Sequence, residues 1–192
     1  MIQYPNGKKI KSNIDRTLSA TNRGMTLEND LNLTNEYYLE LGIANIHKKP
    51  TPVQIVTVDY PKRSAAKITE AYFKVPSTTD YNGVYKGKAI DFEAKECSSK
   101  TSFPFASIHP HQIRHLESVI KHGAIAFIII RFSKMNETYY VDASKLICNY
   151  YGEKRSLPYS WFQEEGILIP MGLCPRIDYL KIIDQFYLGG QK

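Results

Sequence analysis

From Ile90 to Lys95 the chain reads Ile-Asp-Phe-Glu-Ala-Lys, so charged and apolar residues alternate. A β-strand sends successive side chains to opposite faces. Asp91, Glu93 and Lys95 therefore project from one side while Ile90, Phe92 and Ala94 bury the other. Strand rise sets Glu93 and Lys95 about 7 Å apart along one face. At that spacing a carboxylate can hold a divalent cation while the ammonium meets a substrate bound to it. Cutting a phosphodiester asks for acidic oxygens to hold magnesium, a water activated by it, and a cation to offset the charge growing on the phosphate. Asp80, thirteen positions before Glu93 in a turn-rich segment, supplies a second acidic group if a hairpin returns Glu93 beside it. A Glu-x-Lys pair is equally what a solvated, salt-bridged surface looks like. Its setting must decide.

The elements that would position these residues are visible as periodicities. Leu27, Leu31, Tyr38 and Leu41 recur at helical spacing after Thr26, an N-cap, and before Gly42, a stop, predicting an amphipathic helix. Glu28 lies at the border of its apolar stripe, where it either reaches toward a site on the sheet or serves as a first-turn acid favoured by the helix dipole. Strands are expected at 43–47 and 53–58, joined by Lys48-Lys49-Pro50-Thr51-Pro52, a stiff cationic connection. The basic, aromatic turn Asp59 to Ser64 leads to a strand at 71–75. Residues 76–83 are dense in turn formers and deliver the chain to the hairpin that ends in the Asp91 to Lys95 strand.

Residues 110–121 read as a helix with Ile113, Leu116 and Ile120 inward and Pro110 suited to its first turn. Gln112 lies about 55° from the centre of that apolar face and points toward the sheet, whereas His111 lies nearly opposite and is expected in solvent. The apolar run 124–132 predicts a central strand covered on both faces. A strand at 138–141, a helix at 143–151 and a closing helix at 176–188 complete a mixed sheet flanked by helices.

At 192 residues, 43% of them hydrophobic, the chain is long enough to bury a substantial core. A net charge of +6 and a pI near 9.1 favour an anionic partner, nucleic acid first and an anionic membrane surface second. Residues 1–23 carry five cations against Asp15 alone and few apolar residues, the composition of a basic arm that engages phosphates without a preformed pocket. Cys97, Cys148 and Cys174 form no Cys-x-x-Cys pattern, which argues against a disulfide framework or zinc knuckle and for a reducing cytoplasm. No apolar run approaches bilayer length and the N-terminus lacks an apolar signal core, so no membrane attachment is expected.

Motifs spread along the chain sharpen this picture. Tyr4 to Lys8, Asn22 to Met25, His47 to Val56, Tyr60 to Ser64, Ser77 to Gly83, Asp91 to Glu96, Lys100 to Pro104 and Pro175 to Tyr179 together resemble the RecU family of Holliday junction resolvases, within the PD-(D/E)xK nuclease superfamily. The resemblance implies a restriction-endonuclease-like α/β fold, a mixed central sheet flanked by helices with a stalk protruding between two strands at about 59–75. It implies an arm over 1–24 and a nuclease domain over 25–192. It further implies a Mg²⁺ site, with Mn²⁺ as a substitute, whose ligands are Thr78, Asp80, Glu93 and Gln112, with Lys95 stabilising the transition state. Asp91 receives no ligand role, only a supporting or solvent one. A cytoplasmic homodimer is implied, nicking opposed strands of a four-way junction in recombination and repair. Arg23, Lys49, Lys62 and Arg63 are the cations expected on phosphates. The alternative is a junction-binding regulator of the RecA recombinase with a weak or silent nuclease site. One motif departs from expectation: His109-Pro110-His111-Gln112 stands where the family pattern has His-Asp-His-Gln. His111 and His115 have the i, i+4 spacing that can bind zinc, but without a third ligand they are expected as surface histidines.

Overall fold

A computed structural model describes residues 26–74 and 77–189. Thr26 caps α1 (Leu27–Glu40), its hydroxyl accepting from the Asn29 N–H. The chain then forms β1 (Asn45–Lys48), β2 (Val53–Asp59), β3 (Lys67–Phe73), β4 (Tyr81–Tyr85), β5 (Lys88–Cys97) and β6 (Ser102–Pro104). It continues through α2 (Pro110–Lys121), β7 (Ile125–Phe132), β8 (Glu137–Asp142), α3 (Ala143–Tyr150), β9 (Ser156–Pro158), α4 (Tyr159–Glu165), β10 (Ile167–Ile169) and α5 (Leu180–Phe186). Six strands make the central sheet in the order β1-β4-β5-β7-β8-β10. Only β5 and β7 run parallel, linked by the α2 crossover; the other pairs are antiparallel.

The β4–β5 hairpin turns at Lys86 and Gly87, both with positive φ, the backbone that suits the right-handed twist of a tight hairpin. Gly83 lets β1 close against β4, since a Cβ there would meet the Asn45 carbonyl oxygen at 2.1 Å. β7 is buried along its whole length, as its unbroken apolar run predicts. One face of the sheet packs with α1 and α5 around Leu31, Phe92, Phe127, Tyr179 and Ile183. The other packs with α2, α3 and α4 around Ile113, Leu116, Ile128, Ile130, Leu146 and Phe162. On the first face Tyr81, Phe92, Phe127 and Tyr140 stack in succession with ring centroids 4.7, 4.6 and 4.5 Å apart, pinning β5 between its neighbours.

β2 and β3 form a separate two-stranded ribbon, every residue of which is exposed. This projection corresponds to the expected stalk but begins at Val53 instead of near 59, and its second strand starts at Lys67 instead of 71. The closing helix is also shorter than 176–188. Ile177 is taken up in a bridge to Met171 and the first helical residue is Leu180. Phe186, one of two alternatives for the inward end of that helix, is 58% exposed. Among the described residues no helix is long and apolar enough to cross a membrane.

Candidate active site

β5 turns Asp91, Glu93 and Lys95 toward α2, because Phe92 on the opposite face is held in the aromatic ladder. Glu93 lies beside Ile128 of the buried strand β7, which accounts for its complete burial. Its Oε1 is 2.8 Å from Lys95 Nζ, and its Oε2 accepts the Asp80 N–H at 3.2 Å. Burial first, then the hydrogen bond and repulsion from the neighbouring Asp80 carboxyl, push the Glu93 carboxyl up to about 8, against the lowering pull of Lys95. The three residues read from spacing thus meet: Asp80 and Glu93 form a crowded carboxyl pair, and Lys95 closes one side of it.

These groups fit a divalent cation. Two acidic groups pressed together resist ionising at once, a cation between them relieves that repulsion, and all their donor atoms are hard oxygens. Among the described residues no three of His, Cys, Asp and Glu converge as a metal cluster, so carboxyls alone do not complete a shell. Hydroxyl, amide and water oxygens would have to complete it, as suits an ion that keeps much of its hydration. Thr78 and Gln112 are the expected protein donors. Thr78 is half-buried with its hydroxyl donating to the Thr79 carbonyl at 3.3 Å. Gln112 is buried, as its helical angle predicts, but its Oε1 accepts the His109 N–H at 3.0 Å, closing the first turn of α2. Neither bond uses up the oxygen: a donating hydroxyl keeps its lone pairs, and an amide oxygen that accepts one N–H keeps a second lone pair. Pro110 occupies the first turn of α2 without disturbing it.

Two histidine expectations are corrected. His111 does not face open solvent. Its ring stacks on His109 at 5.4 Å and its Nε2 is enclosed, with no hydrogen-bond partner among the described residues. Burial, then His109, Arg114 and Lys95, hold its imidazole below the ordinary range. His115 is not a free surface group either, because its Nε2 lies 3.1 Å from Asp91 Oδ2. The helical wheel measures angle around α2 and omits what stands beside its first turns.

Lys49, expected on phosphate, is ion-paired with Asp91 at 2.9 Å and its side chain is only 18% exposed. Lys62 and Arg63 are exposed at the tip of the ribbon. Arg23 and the basic arm lie outside the described residues. Glu28, at the helix border, pairs with Lys48 at 2.6 Å and, with Asp80 and Glu93, acts on the enclosed Tyr81 hydroxyl. The sequence signal for Asp91 was its shared face with Glu93; Lys49 and Thr79 reach it only through long-range folding.

A mixed-sheet α/β protein with a buried glutamate and a lysine on one strand face, and a half-buried aspartate beside them, is the class that fold and site define. The chain belongs to the Recombination protein U family, whose model matches residues 22–185. Proteins described as Holliday junction resolvase RecU are similar along almost the whole chain. The one from Geobacillus kaustophilus is 58% identical over 97% of this chain and 98% of its own. That of Oceanobacillus iheyensis is 53% identical over 97% of this chain and all of its own. That of Bacillus cereus strain B4264 is 51% identical over 98% of this chain and 99% of its own. A solved structure of Hjc from Archaeoglobus fulgidus, a Holliday junction resolvase, matches 70% of this chain and 92% of its own at 11% identity and a TM-score of 0.40.

Proposed function

We propose that this chain is a structure-selective endodeoxyribonuclease that resolves Holliday junctions by symmetric, Mg²⁺-dependent nicking of opposed strands, with Mn²⁺ as a substitute. The observation that carries the reading is Glu93, fully buried and crowded by Asp80, with Lys95 Nζ 2.8 Å from its Oε1. Ionising a buried carboxyl beside a second carboxyl is unfavourable unless a cation joins the two. Family membership and the relatives' shared description support the substrate.

Thr78, Asp80, Glu93 and Gln112 would hold the cation, which supplies charge compensation for the phosphoryl oxygens and acidifies an attacking water. Asp80 and Glu93 would supply the cation's carboxylate oxygens, Glu93 from the face of β5 and Asp80 from the turn before β4. Lys95, on the same face as Glu93, offers its ammonium to the oxygen on which charge grows, a contact that strengthens in the transition state. Lys62 and Arg63 at the ribbon tip, with Arg23 in the arm, are assigned to junction phosphates. Lys49 is assigned to the wall of the site, given its ion pair with Asp91.

A second copy of the chain completes the assembly, because a two-fold dimer matches the symmetry of a four-way junction. The bare ribbon supports this: Val53, Ile55, Val56, Tyr72 and Phe73 are all at least 47% exposed. The three free cysteines are compatible with the cytoplasmic setting we assign. The family resemblance adds the RecA recombinase as a partner.

The deciding experiment compares four-way junction with linear duplex DNA, with and without Mg²⁺, for the parent and Glu93→Ala. Cleavage is expected only of the junction, only with metal and only by the parent, while Glu93→Ala still binds the junction. Surviving cleavage in the variant removes the metal-site assignment. A parent that binds but never cuts supports the regulator reading instead.

A further inference from the structure

We propose that Asp91 is a positioning residue for the metal site, acting through Thr79 to hold the segment that carries Thr78 and Asp80. The inference rests on the nuclease reading above. Asp91 is 7% exposed and receives donors from three separate parts of the chain. Lys49, in the connection after β1, brings its Nζ to 2.9 Å from Oδ2. His115, on α2, brings Nε2 to 3.1 Å from the same oxygen. Thr79, just before β4, donates its hydroxyl to Oδ1. Lys49 closes the knot, with its Nζ 2.9 Å from the Thr79 hydroxyl and its own N–H donating to the Asp80 carbonyl at 2.7 Å.

Each expected ligand is tied to this knot. Thr79 lies between Thr78 and Asp80, so fixing its side chain fixes both neighbours. The Asp80 N–H then meets Glu93 Oε2, which aligns the two carboxyl-bearing segments. His115 stands three positions after Gln112 on α2, so the same carboxyl also anchors the helix that carries the fourth ligand. Asp91 has both oxygens engaged by protein donors, which leaves it a support and not a ligand. A buried carboxylate costs desolvation that an apolar residue avoids. Three converging donors offset that cost and fix a geometry that metal ligation needs to within about 0.5 Å.

The test measures Mn²⁺ binding to the metal-free, full-length protein by calorimetry, alongside the metal concentration for half-maximal junction cleavage and junction affinity in EDTA. Loss of supporting hydrogen bonds typically weakens metal binding about 10–100-fold. Thr79→Val, which keeps the shape and removes the hydroxyl, and Asp91→Asn are expected to weaken Mn²⁺ binding and raise the half-maximal metal concentration by that factor. Junction affinity in EDTA stays at the parent value. Thr79→Ser, which keeps the hydroxyl, restores binding to within about twofold of the parent, a rescue that a packing role for the methyl would not give. If Asp91→Asn does not fold, the Val and Ser pair at Thr79 decides alone. Parental Mn²⁺ affinity in Thr79→Val, or a Ser variant as defective as the Val one, overturns the role of Asp91 while a cleaving parent keeps the nuclease reading. A parent that neither binds Mn²⁺ nor cleaves overturns both.

Discussion

Asp30 and Glu93 are both fully buried acids, and they are surrounded in opposite ways. Asp30, on α1, meets Arg131 Nη2 of β7 at 2.7 Å and Arg176 Nε from the segment before α5. One turn on, the Thr34 hydroxyl donates to the Asp30 carbonyl at 2.8 Å and accepts the Ile177 N–H at 3.1 Å. That cluster joins helix, central strand and C-terminal segment with more positive charge than negative. Glu93 has one lysine and a second carboxyl for company, and its carboxyl is pushed up to about 8. Where a buried acid is over-compensated it fastens the fold. Where it is crowded by its own kind, the fold carries a cost that a bound cation relieves.

The comparison is broken most directly by removing the satisfied acid. Asp30→Ala takes the carboxylate from two enclosed guanidinium groups, a change expected to cost about 3–5 kcal/mol of folding free energy. Urea denaturation measures it, and turnover per folded molecule should stay near the parent's because Arg131 alternates to the α1 and α5 face of the sheet, opposite the face that carries Glu93 and Lys95. A loss under about 1 kcal/mol means the cluster is no fastening.

Glu93→Gln sharpens the other half. The folded site keeps the Glu93 proton up to about pH 8, whereas the ordinary value is 4.5. Between those pH values the unfolded chain releases a proton that the folded chain retains, so stability from this group falls as pH rises through the window. Gln does not titrate. In EDTA the parent should therefore lose stability relative to Glu93→Gln between pH 5 and pH 8, by on the order of 2–4 kcal/mol. Mn²⁺ should reverse the loss, and more strongly at higher pH, since cation and proton compete for the carboxyl. A stability gap that is the same at both pH values refutes the crowded-acid reading.

The two acids were not equally legible in the sequence. Strand alternation marks Glu93 and Lys95, and the turn-rich interval to Asp80 marks a hairpin; all three meet in the structure. Asp30 carries no such signal, because Arg131 and Arg176 are 101 and 146 positions away and only folding brings them together. The same holds for Lys49, which reads as an exposed cation in a proline-rich connection yet closes on Asp91 across 42 positions. Helical and strand periods located α1, α2 and β5, and an unbroken apolar run located β7. They gave nothing for β9, α4 and β10, which run for only three to seven residues and are too short to display a period. The ribbon residues Val53 to Val58 were readable as a strand, but whether anything covers a strand is settled by its neighbours.

The finest discrimination comes from trimming one cation on each side. Arg176→Met leaves Asp30 with Arg131 and removes one charge-assisted hydrogen bond, so it should cost about 1.5–3 kcal/mol. Lys95→Met removes the lysine beside Glu93, which looks the graver change, yet at pH 6 its effect on metal-free stability should stay under about 1 kcal/mol. Glu93 already favours its protonated form there, and losing Lys95 only strengthens that preference, so no buried charge is stranded. The loss is expected in chemistry instead: with the ammonium in its proposed role, offsetting charge that appears in the transition state, turnover of the four-way junction should drop far more than junction affinity. A matching fall in affinity would assign Lys95 to phosphate binding in the ground state. A stability loss as large as that of Arg176→Met would make the Glu93–Lys95 pair a fastening like Asp30's, and erase the distinction between the two acids.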